Sequence, residues 1–152
     1  MRPFFEGYLK VMQERHGEIL KALEGLPSNA LDWVPGPGMN SISVMISHLT
    51  GAERYWIGDI AAQQPSNRNR DAEFKVHNVE MDALKKRLED NLRYARKTLE
   101  KFTVQDLEVH RALPRDDGNV TVGWALLHAL EHMTLHLGHI ELTRQLWEQS
   151  QK

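Results

Sequence analysis

The chain has 152 residues, of which 41% are hydrophobic and 26% are charged, proportions that indicate a single globular domain over residues 1–152. The net charge of −2 provides no basic surface for nucleic acid. No apolar run approaches the roughly 20 residues that span a bilayer. The absence of cysteine excludes disulfides, thiolate metal sites and a cysteine nucleophile. Residues 1–6 reach a charge too early for a signal peptide, so we expect a cytoplasmic protein without nucleic-acid or membrane partners.

Four segments with apolar residues at helical spacing predict an all-α four-helix bundle. They extend over residues 3–26, from Ser41 or Ser43 to about 63, over 79–102, and from Thr121 to about 149. Gly25 and Pro27 should end the first helix. The connections are each a dozen residues or longer, which is enough for a crossover between helices. Residues 64–78 are polar and predicted to be irregular, and residues 116–119 predict a turn.

Eight histidines are unusually many for a chain of this length, and four of them fall within residues 128–139. His132 and His136 are four residues apart, so they lie one turn apart on the same helix face. By this spacing a single helix supplies two imidazoles to one metal ion. His48, on the apolar side of the second helix, can supply a third. A single histidine of this kind is more often a hydrogen-bonded core residue, so the prediction of a metal site rests on all three together.

His128 has the same spacing to His132, and geometry decides between the two pairs. His128 and His136 lie about 12 Å apart along a helix axis, whereas two nitrogens on one metal lie only about 3–3.5 Å apart. The apolar arc of the helix is centred between His132 and His136. We therefore expect His128 and His139 to support or line the site. The remaining histidines have no partner in the pattern and are expected on the surface: His16, His77 and His110.

Two stretches carry a resemblance to a known superfamily. Residues 124–140, with His132-x-x-x-His136-x-Gly138-His139, resemble the last-helix signature of the DinB/YfiT-like superfamily, which carries two metal ligands. Residues 41–56 are similar to its second helix, whose histidine is the third ligand. The match extends to the first helix and the 31–33 loop, so it covers most of the chain. One departure is His139, where much of the superfamily has Gln.

The resemblance implies a DinB/YfiT-like bundle with up-down-down-up topology, a divalent metal ion (zinc or nickel) on His48, His132 and His136, and frequently a homodimer. Characterised relatives depend on a low-molecular-weight thiol: S-transferases that use bacillithiol or glutathione, and a mycothiol-dependent isomerase. Many other members have no known activity. The sequence itself does not distinguish between these thiols.

Three imidazoles with an open coordination position are typical of a catalytic metal site that activates water or a thiol. The sequence thus predicts a metal-dependent transferase or hydrolase with a small-molecule substrate. Glu53, just over one turn beyond His48, is the predicted general base or orienting carboxylate, with a solvated surface position as the alternative. Arg54 and Arg144 could bind an anionic substrate or lie on solvated faces.

The alternative function is a non-catalytic metal-binding protein, of the stress-response or interaction kind, in which the metal links the second and fourth helices. A di-iron carboxylate bundle is excluded because it requires Glu-x-x-His motifs on two helices, and the chain contains none.

Overall fold

A computed structural model describes all 152 residues of the chain. Its elements in chain order are α1 (Pro3–Leu23), α2 (Ser28–Asp32), α3 (Ile42–Arg54), a π-helix (Tyr55–Ala61), α4 (Arg70–Glu73), α5 (Met81–Leu99), a 3₁₀ helix (Val104–Glu108), β1 (His110–Ala112), β2 (Asn119–Thr121) and α6 (Val122–Ser150). The four long helices α1, α3, α5 and α6 form the predicted bundle, and none is long and apolar enough to cross a membrane.

The helix ends follow local chemistry. The Ser41 hydroxyl accepts a hydrogen bond from the Val44 amide at the start of α3, and Thr121 does the same for Trp124 at the start of α6. Each side chain satisfies one of the amides that a first helical turn leaves unpaired. Gly25, at φ +73°, follows the end of α1 in the left-handed region that favours glycine. The predicted caps at Ser41 and Thr121 are confirmed.

Helices α1 and α6 are neighbours that run parallel. Near their starts, the Tyr8 hydroxyl donates to the Leu126 carbonyl at 3.0 Å. Near their ends, Arg144 Nη1 donates to the Ala22 carbonyl at 3.0 Å. Both helices also pack against other long helices, α1 against α5 and α6 against α3. Arg144, predicted as an anion ligand or a solvated side chain, instead binds the end of α1.

Helix α3 runs antiparallel to α6. His48 lies beside His132, while Trp56, later in the chain, packs against Trp124, which comes earlier in α6. Contacts therefore move backwards along α6 as α3 advances. The direction places the middle of α3 against the middle of α6, where the three predicted ligands belong.

Helix α5 runs parallel to α3 and completes the topology. Asn91 Nδ2 donates to the Thr50 carbonyl at 2.7 Å, and the Arg54 guanidinium lies 4.0 Å from the centre of the Tyr94 ring. Contacts thus advance along both helices together. Because α1 and α6 are parallel and α3 and α5 run opposite to α6, the bundle has the predicted up-down-down-up arrangement. The long 62–80 connection returns the chain so that α5 begins in the same direction as α3.

A cluster of 28 buried hydrophobic residues fills the bundle. Fully burying a Leu, Ile or Phe side chain contributes about 1.5–3 kcal/mol. The largest of these side chains come from all four long helices and include Phe5, Met12, Ile19, Ile46, Leu49, Leu84, Leu88, Met133 and Ile140. The core therefore fixes α3 against α6, which is the contact on which the histidine site depends.

Several elements were absent from the sequence-based prediction, among them α2 and the 3₁₀ helix. The π-helix continues α3 with a wider turn, which apolar spacing alone does not reveal. Helix α4 lies within the segment predicted to be irregular, and begins where Asn69 accepts from the Ala72 amide. The strands β1 and β2 pair as an antiparallel hairpin around the predicted 116–119 turn, and at three residues each they are too short for an alternating pattern.

Candidate metal centre

The side chains of His48, His132 and His136 meet where α3 packs against α6. Each offers one ring nitrogen, and these three atoms lie within 4.8 Å of one another. His48 Nε2 and His132 Nε2 are 3.0 Å apart. Two nitrogens bound to one Zn²⁺ at 2.0–2.1 Å lie at about this separation. The three histidines singled out from spacing are therefore brought together in one cluster, with one pair of nitrogens at the separation of two ligands on one ion.

His132 and His136 are held neutral by their surroundings. Burial, followed by the charge of the neighbouring histidines, lowers the pKa of His132 to about 3. Burial, followed by the charge of His48 and His139, lowers the pKa of His136 to about 4. At neutral pH each ring thus keeps an unprotonated nitrogen, which is the form that binds a metal.

Glu73 fixes the orientation of His48. Its Oε1 lies 3.0 Å from His48 Nδ1. Burial acts to raise the pKa of Glu73, but hydrogen bonds from Arg68 and His48 outweigh it and lower the pKa, so the group is a carboxylate. A carboxylate only accepts hydrogen bonds, so His48 Nδ1 carries the proton and donates it. The lone pair of His48 is then on Nε2, which faces His132, as in the carboxylate–histidine pairs that support metal ligands.

Arg68 and Gly51 hold Glu73 in this position. Arg68 donates from Nε to Glu73 Oε2 and from Nη2 to Oε1, both at 2.7 Å, which is the two-pronged geometry typical of strong arginine–carboxylate pairs. Gly51 faces the carboxylate from α3, and a Cβ there would overlap Glu73 Oε2. Glycine at this position is therefore required for the close approach of α4 to α3.

The donor set fits a divalent cation. Three imidazole rings lie side by side in a partly buried place, and His48 Nε2 approaches His132 Nε2 to 3.0 Å. Gathering several polar rings there costs free energy unless they share a partner. Neutral imidazoles are ligands that Zn²⁺ and Ni²⁺ both accept, so His48, His132 and His136 can hold either ion.

A cavity of about 230 Å³ opens beside the cluster, with His48 and His132 in its wall. Tyr55 and Trp56, the first two residues of the π-helix, also line it. A small molecule in the cavity would therefore lie against two of the three histidines, as a catalytic site requires and a closed structural site does not.

Glu53 lies elsewhere, which corrects its expected position. It is only 2% exposed, so it is neither a solvated surface residue nor part of the histidine cluster. His16 Nε2 lies 2.8 Å from its Oε1, and Asn91 Nδ2 donates to its Oε2 at 2.9 Å. Both oxygens are occupied, so we assign Glu53 no catalytic role. His16, expected on the surface, is buried at 3% exposure by the same contact.

The other histidines mostly follow the prediction. His128 lines the cavity and stacks on Trp124 with ring centres 4.8 Å apart. His139 lies 5.5 Å from His136, measured between ring centres, and is exposed. His77 and His110 are exposed, as expected.

Sequence reasoning missed Glu73 and Arg68 because both lie in the segment predicted to be irregular. A usable signal was present: Asn69 followed by acidic residues at 71 and 73 is typical of a helix start. That signal predicts a short helix, but it does not reveal that the helix folds back onto His48.

Comparison with known proteins agrees with this geometry. The model of the mycothiol S-transferase family matches residues 8–149. The chain belongs to this family. The predicted DinB/YfiT-like relationship is thereby confirmed, together with the structural similarity to YfiT. Among curated proteins, none matches the chain significantly.

Two solved structures share the fold. A conserved protein from Enterococcus faecalis is 14% identical with a TM-score of 0.77, covering 96% of this chain and 98% of its own. YfiT from Bacillus subtilis, described as a probable metal-dependent hydrolase with an unusual four-helix bundle topology, is 15% identical with a TM-score of 0.77, covering 95% of this chain and 89% of its own. At these identities the likeness establishes the fold.

Proposed function

We propose that the protein is a metal-dependent S-transferase that joins a low-molecular-weight thiol, mycothiol in the first instance, to a small electrophilic substrate. His48, His132 and His136 hold the divalent ion, zinc or nickel. The observation that carries the proposal is the convergence of three imidazoles beside an open cavity. Membership of the mycothiol S-transferase family supports mycothiol as the thiol.

A divalent ion bound there supplies Lewis acidity, which lowers the pKa of a thiol or a water molecule at a free coordination position. The chain's own residues orient the ligands and shape the cavity. Glu73 keeps the His48 proton on Nδ1, and Arg68 keeps Glu73 ionised and in place. Tyr55 and Trp56 form an apolar part of the cavity wall beside the cluster.

Metal analysis of the purified protein beside the His136→Ala variant tests the site. We expect about one zinc or nickel ion per chain in the wild type and a large loss in the variant, because two imidazoles bind a divalent ion much more weakly than three. The variant His16→Ala is the matched control. It removes a buried histidine that lies outside the cluster, on the side of the bundle where Asn91 lies. Equal metal content in wild type and His136→Ala would refute the site.

A screen of the metal-loaded protein with mycothiol, bacillithiol and glutathione, each with a fluorogenic halide as electrophile, tests the reaction. We expect turnover that requires the thiol and is lost in His136→Ala. The cytoplasm, where such thiols are kept reduced, is the proposed location. No turnover with any thiol would favour the non-catalytic metal-binding alternative.

A metal-dependent hydrolase is the second candidate, because YfiT, which shares the fold, is described as a probable one. The same site would then activate water in place of a thiol. Ester and amide hydrolysis by the metal-loaded protein in the absence of any thiol would favour this candidate over the transferase.

We also propose that the protein forms a homodimer. Helix α6 leaves several large apolar side chains exposed, Trp124 (46%), Leu127 (63%), Leu135 (56%) and Leu142 (52%). Apolar groups exposed together in this way are typical of interaction surfaces. Light scattering at micromolar concentration should give twice the mass of the chain, and the mass of one chain would refute the dimer.

A further inference from the structure

The cavity beside the histidine cluster is lined by an unusual concentration of arginine. Arg68, Arg70 and Arg115 all border it, and Asp116 is its one acidic residue. They come from separate parts of the chain, the α4 region and the β1–β2 turn, which the fold brings together over His48 and His132. Like charges gathered around so small a space repel one another unless an anion lies between them.

The three arginines differ in what neutralises them. Arg68 is paired with Glu73 through two hydrogen bonds, so its charge is already balanced. Arg70 and Arg115 form no ion pair with any acidic group of the chain. Asp116 offsets part of their charge, and the cavity keeps a net positive charge equivalent to about one cation. A divalent ion on the histidines would add to this positive charge, so the cavity favours an anionic ligand.

Arg70 is held beside the site by aromatic stacking. Its guanidinium lies 5.0 Å from the centre of the Phe74 ring, and that ring packs on His48 with centres 4.7 Å apart. A guanidinium stacked on an aromatic face keeps its N–H groups free for a ligand. Arg70 is exposed, and its stacking on Phe74 holds the guanidinium near His48.

Arg115 is exposed in the β1–β2 turn and borders the cavity together with Tyr55. Its charge partly offsets the rise that burial causes in the pKa of Tyr55. The Tyr55 and Trp56 rings form the apolar part of the lining. A ligand that fits this lining has a flat apolar body and one anionic end.

We propose that this cavity is a binding site for a small aromatic or unsaturated carboxylate, with Arg70 and Arg115 binding the carboxylate and Tyr55 and Trp56 packing on its body. The inference rests on the proposed function in one respect: the carboxylate is taken to be the electrophilic substrate, held beside the metal-binding histidines. Arginine recognises carboxylates through paired N–H donors, which gives both affinity and orientation.

Calorimetric titration of the zinc-loaded protein with benzoate and with benzamide tests the proposal, because the two probes share a shape and differ in charge. We expect benzoate to bind at least about tenfold more tightly. The Arg70→Gln and Arg115→Gln variants should each weaken benzoate binding about tenfold and leave benzamide unchanged, since each removes a charge-assisted hydrogen bond. The matched control is Arg96→Gln, which removes an exposed arginine on α5 outside the cavity.

Equal affinity for the two probes would overturn the proposal. Benzoate binding that survives both arginine substitutions would also overturn it, since that result means that the metal alone holds the carboxylate.

The same titration on zinc-free protein separates this inference from the proposed function. A protein that takes up no zinc but still binds benzoate through Arg70 and Arg115 refutes the metal site and keeps the carboxylate site. A protein that takes up zinc but does not prefer benzoate keeps the metal site and refutes the carboxylate site.

Discussion

Two histidine–carboxylate pairs are buried in this bundle, and they differ in what surrounds them. His16 and Glu53 are 2.8 Å apart, and Asn91 occupies the second carboxylate oxygen. His48 and Glu73 are 3.0 Å apart, but the other nitrogen of His48 faces His132 across 3.0 Å. The first pair is closed on itself and joins α1, α3 and α5. The second leaves a lone pair directed at other histidines beside a cavity.

The difference shows that a buried histidine–carboxylate pair does not by itself make a reactive site. The chemistry depends on what the second ring nitrogen meets. His16 Nδ1 is buried and contacts no polar partner, so it has nothing to act upon. His48 Nε2 meets two further imidazoles. Breaking each pair in turn should therefore give opposite results: a loss of stability from one and a loss of metal affinity from the other.

The largest effect is expected from Glu53→Ala. The substitution removes the acceptor for His16 and one acceptor for Asn91 inside the core. Leaving a buried partner uncompensated costs about 3 kcal/mol, so urea denaturation should report a loss of about this size in the free energy of unfolding. Zinc content per folded chain should not change. Glu89→Ala, an exposed carboxylate on α5, is the control and should have little effect.

A result in the opposite sense would restore the role that the sequence suggested for Glu53. If Glu53→Ala kept the wild-type stability and lost zinc or thiol transfer, the carboxylate would belong to the site after all. The structure argues against this, because both Glu53 oxygens already accept hydrogen bonds away from the cluster.

The next effect is expected from Glu73→Gln. The amide keeps the size of the side chain but removes the charge that holds the proton on His48 Nδ1. Removing a group that orients a metal ligand typically lowers metal affinity 10–100-fold, or about 1.4–2.8 kcal/mol. Competition with a zinc chelator should measure this loss. An unchanged zinc affinity would mean that Glu73 does not set the tautomer of His48.

The sequence predicted the two helices that carry the histidine cluster well because the relevant information is local. Ser41 and Thr121 mark their starts, and the spacing of His132 and His136 places both on one face. The apolar arc of the helix, which is centred between His132 and His136, excluded His128 as a ligand. This agrees with the position of His128 in the cavity wall. Helical periodicity is a property of neighbouring residues, so it can be recognised without knowing the fold.

The supporting residues could not be predicted because their roles depend on distant contacts. Glu73 is 25 residues from His48, in a segment without periodicity. Glu53 looked suitable because it is near His48 in sequence, yet it contacts His16, which is 37 residues away. Five residues along a helix turn a side chain well away from its starting face. Proximity in sequence was therefore the wrong criterion for choosing the carboxylate.

The smallest effect is expected from Gly51→Ala, which tests the contact between α4 and α3 without touching a polar group. The new Cβ would overlap the Glu73 carboxylate, so that carboxylate must shift away from His48. Zinc affinity should fall by up to about tenfold, less than in Glu73→Gln, because the carboxylate is displaced and not removed. Gly17→Ala, at an open position on α1, is the control; it should raise stability by up to about 1 kcal/mol and leave zinc affinity unchanged.

The double variant Gly51→Ala/Glu73→Gln makes this test specific. If Gly51→Ala acts only by moving the Glu73 carboxylate, it has little left to disturb once the charge is gone, and the two losses of zinc affinity should not add. Fully additive losses would mean that the methyl group distorts α3 itself and moves His48 directly. Non-additive losses would instead mean that Gly51 acts by leaving room for the Glu73 carboxylate beside His48. The His48–Glu73 pair would then depend on this glycine, unlike the closed His16–Glu53 pair.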